Sequence, residues 1–366
     1  MINRKWGLLT IHDTQNYGSL LQAYSLYIAI EALGFSVELI DYRNKKITER
    51  EMPIVKQRIR SVKDLVRYVL WGTQQKEKYE NIRKFLRENT KMSRAYDINS
   101  IRHANDDYGA FISGSDIVWG TNITDNDYTY FLDFVAESKK KIALSSSVGT
   151  RWTGKVADHV CMLLKRYNSI SVREQLAADW IRELTGRYVK VTCDPTMLWE
   201  QNYWSSFLLD NYPPVGKYVL IYAVNPDKRN ITDGIAYAKS HDMKAYFVNF
   251  FTPVKGTRTI RPTTVEQWIT LIAKADTIFS ASYHGLLFSM YFHRNVFYYN
   301  RGEKSRMISL AEELQIANRE GSADNLAADI PINYDYIDRK MDEKRAYTWS
   351  VIKNALKVET LNGEVV

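Results

Sequence analysis

Cysteine is scarce: 366 residues carry only Cys161 and Cys193. This excludes a disulfide-stapled scaffold and fits a reducing compartment; the two can still pair, but both are expected to be small buried hydrophobes. Proline is sparse too, with eight residues, and no Gly, Ser or Gln bias marks a long disordered tract. No run approaches the ~18 apolar residues that a bilayer-spanning helix needs. The opening Met1-Ile2-Asn3-Arg4-Lys5-Trp6 leads straight into a strand-like run, with no apolar stretch of signal-peptide length. These absences predict a cytoplasmic protein. A dinucleotide GxGxxG, a P-loop lysine and any His/Cys/Asp cluster with metal-ligand spacing are also missing, so chemistry without a bound cofactor or metal is expected. Finger, RNA-recognition and helix-turn-helix signatures are absent, which removes nucleic acid from the expected partners.

What is present begins with length. A chain of this size exceeds one hydrophobic core and predicts two domains. Its 50 Lys and Arg over 42 Asp and Glu give a net charge of +8, which favours an anionic partner. The excess is concentrated: Lys45 to Arg94 holds 15 basic and 6 acidic residues. Among them Ile54, Val55, Ile59, Val62, Leu65, Val66, Val69, Leu70 and Trp71 recur at near-helical spacing. The segment reads as one or two basic amphipathic helices. They serve either as a solvated face or as a contact with an anionic surface, such as the inner face of the plasma membrane or a lipid-phosphate substrate.

Strand and helix patterns alternate through the rest. Gly7 to Ile11 reads as a strand, Leu20 to Leu33 as a helix ended by Gly34, and Ser36 to Ile40 as a second strand. Further short strands are expected at Ala110 to Ile112, Ile142 to Leu144, Ile170 to Val172 and Val189 to Val191. Turn chemistry at Asp194-Pro195-Thr196 and Asn211-Tyr212-Pro213-Pro214-Val215-Gly216 marks a boundary near 195–216. A second alternation follows from Tyr218 to a helix at Lys304 to Leu314. The division is therefore an N-terminal Rossmann-like domain over 1–200 with a basic helical insertion at 45–94, a C-terminal Rossmann-like domain over 210–345, and a C-terminal helix and tail over 346–366. Doubly wound parallel sheets bind ligands beyond the carboxyl ends of their strands, so two facing domains enclose one cleft.

The candidate motifs each follow a strand. Asn16-Tyr17-Gly18-Ser19 with Gln22 is a glycine turn entering a helix, whose amides attract anions, and His12 stands just before it. Ser113-Gly114-Ser115-Asp116 combines close backbone approach with a carboxylate able to orient a hydroxyl or accept its proton, and Ser145-Ser146-Ser147 is a donor-rich loop at the same edge. Arg173 is placed to fork onto phosphate or carboxylate, or to pair with Glu174. Ser282-Tyr283-His284-Gly285 enters another helix, which sets an imidazole beside a helix N-terminus. Of the six histidines, His284 is the first functional candidate and His12 the second.

Taken in order, NYGSLLQAY, GSD-x-x-W, SVRE, CDPTMLW, ADTIFSASYHGLLFSMYF and RMISLAEEL resemble the polysaccharide pyruvyl transferase family, from Trp6 to about Leu314. The resemblance implies an α/β fold of two facing Rossmann-like doubly wound domains, similar to GT-B glycosyltransferases. It also implies transfer of a pyruvyl group from phosphoenolpyruvate to sugar hydroxyls of a cell-surface polysaccharide or its lipid-linked precursor. His284 would be the general acid or a phosphate ligand and Arg173 the anion clamp. Ser282, Tyr283 and the amides of Gly285 and Leu286 would bind the donor. His12, Asn16, Gly18, Ser19, Gln22, Gly114, Ser115 and Asp116 would face the saccharide acceptor. Two positions depart from the family pattern: Ala281 stands where an acidic residue is common, and Ile117 where Gln usually follows GSD. The competing readings are a GT-B-like glycosyltransferase using a nucleotide sugar and a non-catalytic scaffold at a membrane surface.

Overall fold

Short apolar runs such as Ala110-Phe111-Ile112 and Tyr218-Val219-Leu220-Ile221-Tyr222 leave no face for water, and runs of this kind form parallel strands covered on both sides. The computed structural model describes residues 5–53, 56, 59–212, 216–224, 228–300 and 306–357. Met1 to Arg4, Ile54, Val55, the Pro213-Pro214-Val215 part of the linker, Lys304 and the tail after Lys357 lie outside the described residues.

The first sheet holds β1 (Trp6–Leu9), β2 (Val37–Tyr42), β3 (Met92–Tyr96), β4 (Ala110–Ser113), β5 (Lys140–Ser146), β6 (Ser169–Val172) and β7 (Lys190–Val191). Their order is β3-β2-β1-β4-β5-β6-β7, every pair parallel. The second holds β8 (Tyr218–Ala223), β9 (Lys244–Val248), β10 (Arg258–Ile260), β11 (Thr277–Ala281) and β12 (Asn295–Tyr298), ordered β10-β9-β8-β11-β12, again parallel. β3 and β10 were not expected from the sequence. Both are edge strands whose residues (Met92-Ser93-Arg94-Ala95-Tyr96 and Arg258-Thr259-Ile260) are largely unburied, so neither carries an apolar run.

Strand order reverses between β1 and β4 and between β8 and β11. Crevices open at such switch points. Leu9 pairs with Ser113, so the loops after β1 and β4 leave the first sheet side by side.

The helix after β1, α1 (Tyr17–Ala32), begins three residues before the expected Leu20, because Asn16 caps it: Gly18 N donates to Asn16 Oδ1 at 3.0 Å. The basic segment forms two helices, α2 (Lys45–Glu51) and α3 (Val62–Asn89). Ile82, Phe85 and Leu86 bury the distal half of α3 in the core shared with α1.

The C-terminal helix spans Tyr334–Leu356 and so starts well before the expected 346. Ile337 and Met341 are buried on its inner face, an apolar spacing broken by enough charge to hide the helix from a sequence reading. It packs against the turn after Asp194 at the end of the first domain: Cys193 N donates to Thr348 Oγ1 at 3.0 Å, and Arg345 Nε to Met197 O at 2.8 Å. The last helix therefore braces the N-terminal domain.

Candidate functional site

Between the carboxyl ends of the two sheets lies a cleft of about 850 Å³, a size suited to a small-molecule site. Asn16, Ser19 and Asp116 line it from the first domain, and Ser282, Tyr283 and His284 from the second. Tyr17 ties the domains together below it. Its hydroxyl donates to Pro262 O, and its ring stacks on Trp268 at 5.4 Å.

β11 ends at Ala281, and Ser282 caps the next helix, Tyr283–Tyr291. His284 is thereby fixed in a first helical turn with 5% of its surface exposed. Its ring rests on α1: a Cβ at Gly18 would fall 2.1 Å from Nδ1, so this close approach needs glycine. On the other side Nε2 lies 3.3 Å from Asp194 Oδ2, without an aligned hydrogen bond.

Asp194 comes from the Cys193-Asp194-Pro195-Thr196 stretch, which the sequence presents only as a turn and a family motif. Its side chain is wholly buried. Oδ1 caps the following turn, accepting from Thr196 N at 3.0 Å and Thr196 Oγ1 at 2.8 Å. Oδ2 accepts from Arg173 Nη1 and faces His284. Burial works to raise its pKa, but His284 and Arg173 together outweigh burial and hold the carboxyl well below the usual carboxylate range. With Ala281 in the position that is commonly acidic, the negative charge beside His284 comes from Asp194, across the domain seam. A contact between strand ends 90 residues apart carries no local signal.

Arg173 is equally enclosed, with a side chain 3% exposed. Beyond Asp194, its Nη2 stands 3.5 Å from Asp116 Oδ1 and its Nε 3.8 Å from Glu174 Oε1. A second arginine joins it from the other domain. Arg306, on the helix Arg306–Glu313, places Nη1 3.6 Å from Asp116 Oδ1 and Nε 3.9 Å from Glu174 Oε1, and it lines the cleft. In the sequence it stands at the start of the RMISLAEEL motif, where no local feature gives it a role. The Tyr283 ring lies beside both guanidinium groups, at 5.7 Å from Arg173 and 5.5 Å from Arg306, while Asp116 and Glu174 bridge the two.

Arg173 Nε and Nη2, Arg306 Nη1 and His284 Nε2 are buried donors without an aligned hydrogen-bond partner. Such atoms are costly to leave unmatched, and anion oxygens satisfy them. Asp116 also faces these cations. Burial acts to raise its pKa, but Arg173 and Arg306 prevail and lower it, so it is an ionised acceptor. Behind Tyr283 a cavity of about 30 Å³ borders Arg173, Asp194 and Arg306, room for about one water. Arg173 borders only this small cavity, whereas Arg306, Tyr283 and His284 line the cleft.

The other expected site residues divide. His12, Gly18, Gln22, Gly114 and Ser115 do not line the cleft. His12 is buried between Thr10 O and Asp41 Oδ1, both at 3.1 Å. Gln22 Nε2 donates to Ser19 O at 2.8 Å, and Thr10 Oγ1 to Ser115 O at 2.8 Å. Gly114 allows close approach to Thr10, whose Cβ would lie 2.8 Å from an added methyl. The amides expected as donors at Gly285 and Leu286 are already engaged, with Ser282 Oγ and Ser282 O, and Leu286 is core. In the serine loop, Ser147 Oγ donates to Glu174 Oε1 at 2.6 Å and Ser146 Oγ to Gly114 O at 2.9 Å. Part of the basic segment turns inward: Arg50, Arg67 and Lys78 line the cleft. Lys78 lies over the Tyr17 ring at 4.5 Å and the Phe250 ring at 4.7 Å, and burial brings its pKa down to about 8.

The whole architecture is that of GT-B proteins. The chain is similar to UDP-GlcNAc 2-epimerase from Neisseria meningitidis bound to UDP-GlcNAc, at 9% identity and a TM-score of 0.55, covering 96% of this chain and 99% of that one. It is also similar to UDP-N-acetylglucosamine 2-epimerase from Rickettsia bellii, at 8% identity and a TM-score of 0.51, covering 96% and 95%. These likenesses show the fold alone. A search of curated proteins finds no match. The family profile described as polysaccharide pyruvyl transferase matches residues 16–303, a span that contains Asp116, Arg173, Asp194 and His284. The chain belongs to the polysaccharide pyruvyl transferase family and is a transferase.

Proposed function

We propose that this transferase moves the pyruvyl group of phosphoenolpyruvate onto sugar hydroxyls of a cell-surface saccharide or its precursor. The convergence of Arg173 and Arg306 donors without aligned hydrogen bonds on Tyr283, beside His284, is the observation that carries this reading. A small donor bearing phosphate and carboxylate supplies the anionic oxygens that two guanidinium groups match.

Transfer starts with a proton to the methylene carbon C3 of the donor, which makes C2 electrophilic. One sugar hydroxyl then attacks C2 and gives up its proton. A second hydroxyl attacks C2 as the C2–O bond to phosphate breaks, and the electron pair leaves with phosphate. The two hydroxyl protons balance the one delivered to C3 and the one carried off by hydrogen phosphate. His284 delivers the first proton, with Asp194 behind it stabilising the imidazolium. Arg306 meets the donor's anionic group from the cleft and Arg173 adds charge from behind Tyr283. Asp116, ionised at the cleft wall, orients the attacking hydroxyl.

Phosphate release from phosphoenolpyruvate with a panel of sugar acceptors tests the reading. Binding of phosphoenolpyruvate, with no binding of nucleotide-diphosphate sugars, is expected by calorimetry; the reverse result would establish the glycosyltransferase reading. Parent-level phosphate release by both His284→Ala and Arg173→Ala would sink the assigned mechanism. Arg306→Ala is expected to raise KM for the donor about 10- to 100-fold, the loss of a charge-assisted contact worth about 1.5–3 kcal/mol. Gly18→Ala should displace the His284 ring, lowering kcat at least about tenfold with little effect on donor affinity. An unchanged kcat in Gly18→Ala would show that the contact with α1 does not position the ring.

A further inference from the structure

The proximal half of α3 carries an apolar stripe that the described residues leave largely exposed. Val62, Leu65, Val66, Val69 and Leu70 are 79%, 47%, 47%, 70% and 54% exposed. Their spacing of three, four, seven and eight places them on one helical face. Solvated helices do not keep such a face apolar without use. Exposed Lys45, Lys56 and Arg60 precede it in the chain. Arg67, Gln75 and Lys78, which line the cleft, fall on the opposite side of the same helix. Among the described residues no helix is long and apolar enough to cross a membrane, so an apolar stripe edged by cations suits lying on a bilayer, not spanning it.

We propose that the Val62 to Leu70 face of α3 docks on an anionic lipid surface. Valine and leucine side chains enter the headgroup boundary, while Lys45, Lys56 and Arg60 meet lipid phosphates. With α3 lying on the bilayer, one helix diameter, about 10–12 Å, separates the surface from the cleft. A saccharide anchored in that surface through a lipid phosphate then reaches past α3 to Asp116. The docking stands independently of the reaction, whereas the delivery of a lipid-linked acceptor rests on the proposed pyruvyl transfer.

The test is flotation of the full chain with vesicles of phosphatidylcholine alone and of equal parts phosphatidylcholine and phosphatidylglycerol. Binding to the anionic vesicles is expected, weakening as salt rises. The exposed double variant Val66→Glu/Val69→Glu should lower that binding about a hundredfold, and Lys56→Glu/Arg60→Glu should lower it and flatten the salt dependence. Neither pair lies in the cleft wall, so phosphate release with a water-soluble acceptor should stay at the parent rate. If the parent chain ignores anionic vesicles, or Val66→Glu/Val69→Glu floats equally well, the docking is refuted. It is also refuted if sedimentation shows a dimer that Val66→Glu/Val69→Glu abolishes, because a second copy then covers the face. Vesicle binding without phosphate release by the parent chain would retain the docking and reject pyruvyl transfer instead.

Discussion

Replacing His284 with alanine is expected to lower the rate of phosphate release from phosphoenolpyruvate by about 10²- to 10⁴-fold, the usual contribution of a positioned proton donor. The fold should survive. His284 makes no aligned hydrogen bond through Nε2, and Asp194 retains the Arg173 guanidinium as its counter-charge when the imidazole is removed. The kinetic split separates the two roles open to the residue. If His284 donates the proton to C3, kcat falls and KM for the donor stays near the parent value. If it only holds the phosphate, KM rises with a smaller change in kcat. Steady-state phosphate release across donor concentrations, paired with thermal melting to confirm folding, reads both.

Asp194→Asn should combine the largest loss of stability with a severe loss of turnover. The wild-type carboxylate is completely buried and neutralises Arg173. Removing one partner of such a pair leaves an uncompensated buried charge, at a cost of about 3–5 kcal/mol. The lower end is expected, since Asp116 and Glu174 stand 3.5 Å and 3.8 Å from the same guanidinium. Urea denaturation measures this loss; an unchanged midpoint would mean that the pair contributes nothing to the fold. Catalysis supplies a readout that a purely structural role does not give. Loss of an anion 3.3 Å from His284 Nε2 should lower kcat while KM for the donor stays near the parent value.

The stability contributed by Asp194 has its own pH window. Its carboxyl pKa is depressed in the folded chain relative to the ordinary value of 3.8, because the cations outweigh burial. The unfolded state therefore binds the proton more readily, and the contribution is present in full above that ordinary value. It is lost as pH falls below 3.8 towards the lower folded pKa. In Asp194→Asn the acid limb of the stability curve should be correspondingly shallower.

Much of this arrangement could be read from local pattern. Apolar runs identified the central strands, and the turns after them carried Asp116, Arg173, Ser282 and His284 to one edge of each sheet. Legibility failed where a residue's role depends on a partner distant in sequence. Asp194 reads as a turn residue before proline, and Arg306 as the first residue of the RMISLAEEL motif with no role of its own, because nothing near either one reveals the other domain. The reverse error arose at Gln22, His12 and the amides of Gly285 and Leu286. Their residue types suit ligand binding, yet Gln22 Nε2 already donates to Thr10, His12 is held by Asp41 and the amides are engaged by Ser282. The basic helices showed the same limit: periodicity gave the helices, but which side meets the cleft and which is left bare depends on how α3 packs against α1.

By itself the sequence determined the two parallel sheets, the loops at their carboxyl edges, the family and the presence of an imidazole at a helix start. These follow from spacing, propensity and ordered motifs, all of which act over a few residues. Only the tertiary structure decided that the carboxylate beside His284 is Asp194, that Arg306 joins Arg173 at Asp116 and Glu174, and that the described residues leave the apolar face of α3 exposed. Each of these depends on apposition of segments far apart in the chain, where burial removes water and turns modest surface charges into strong mutual interactions.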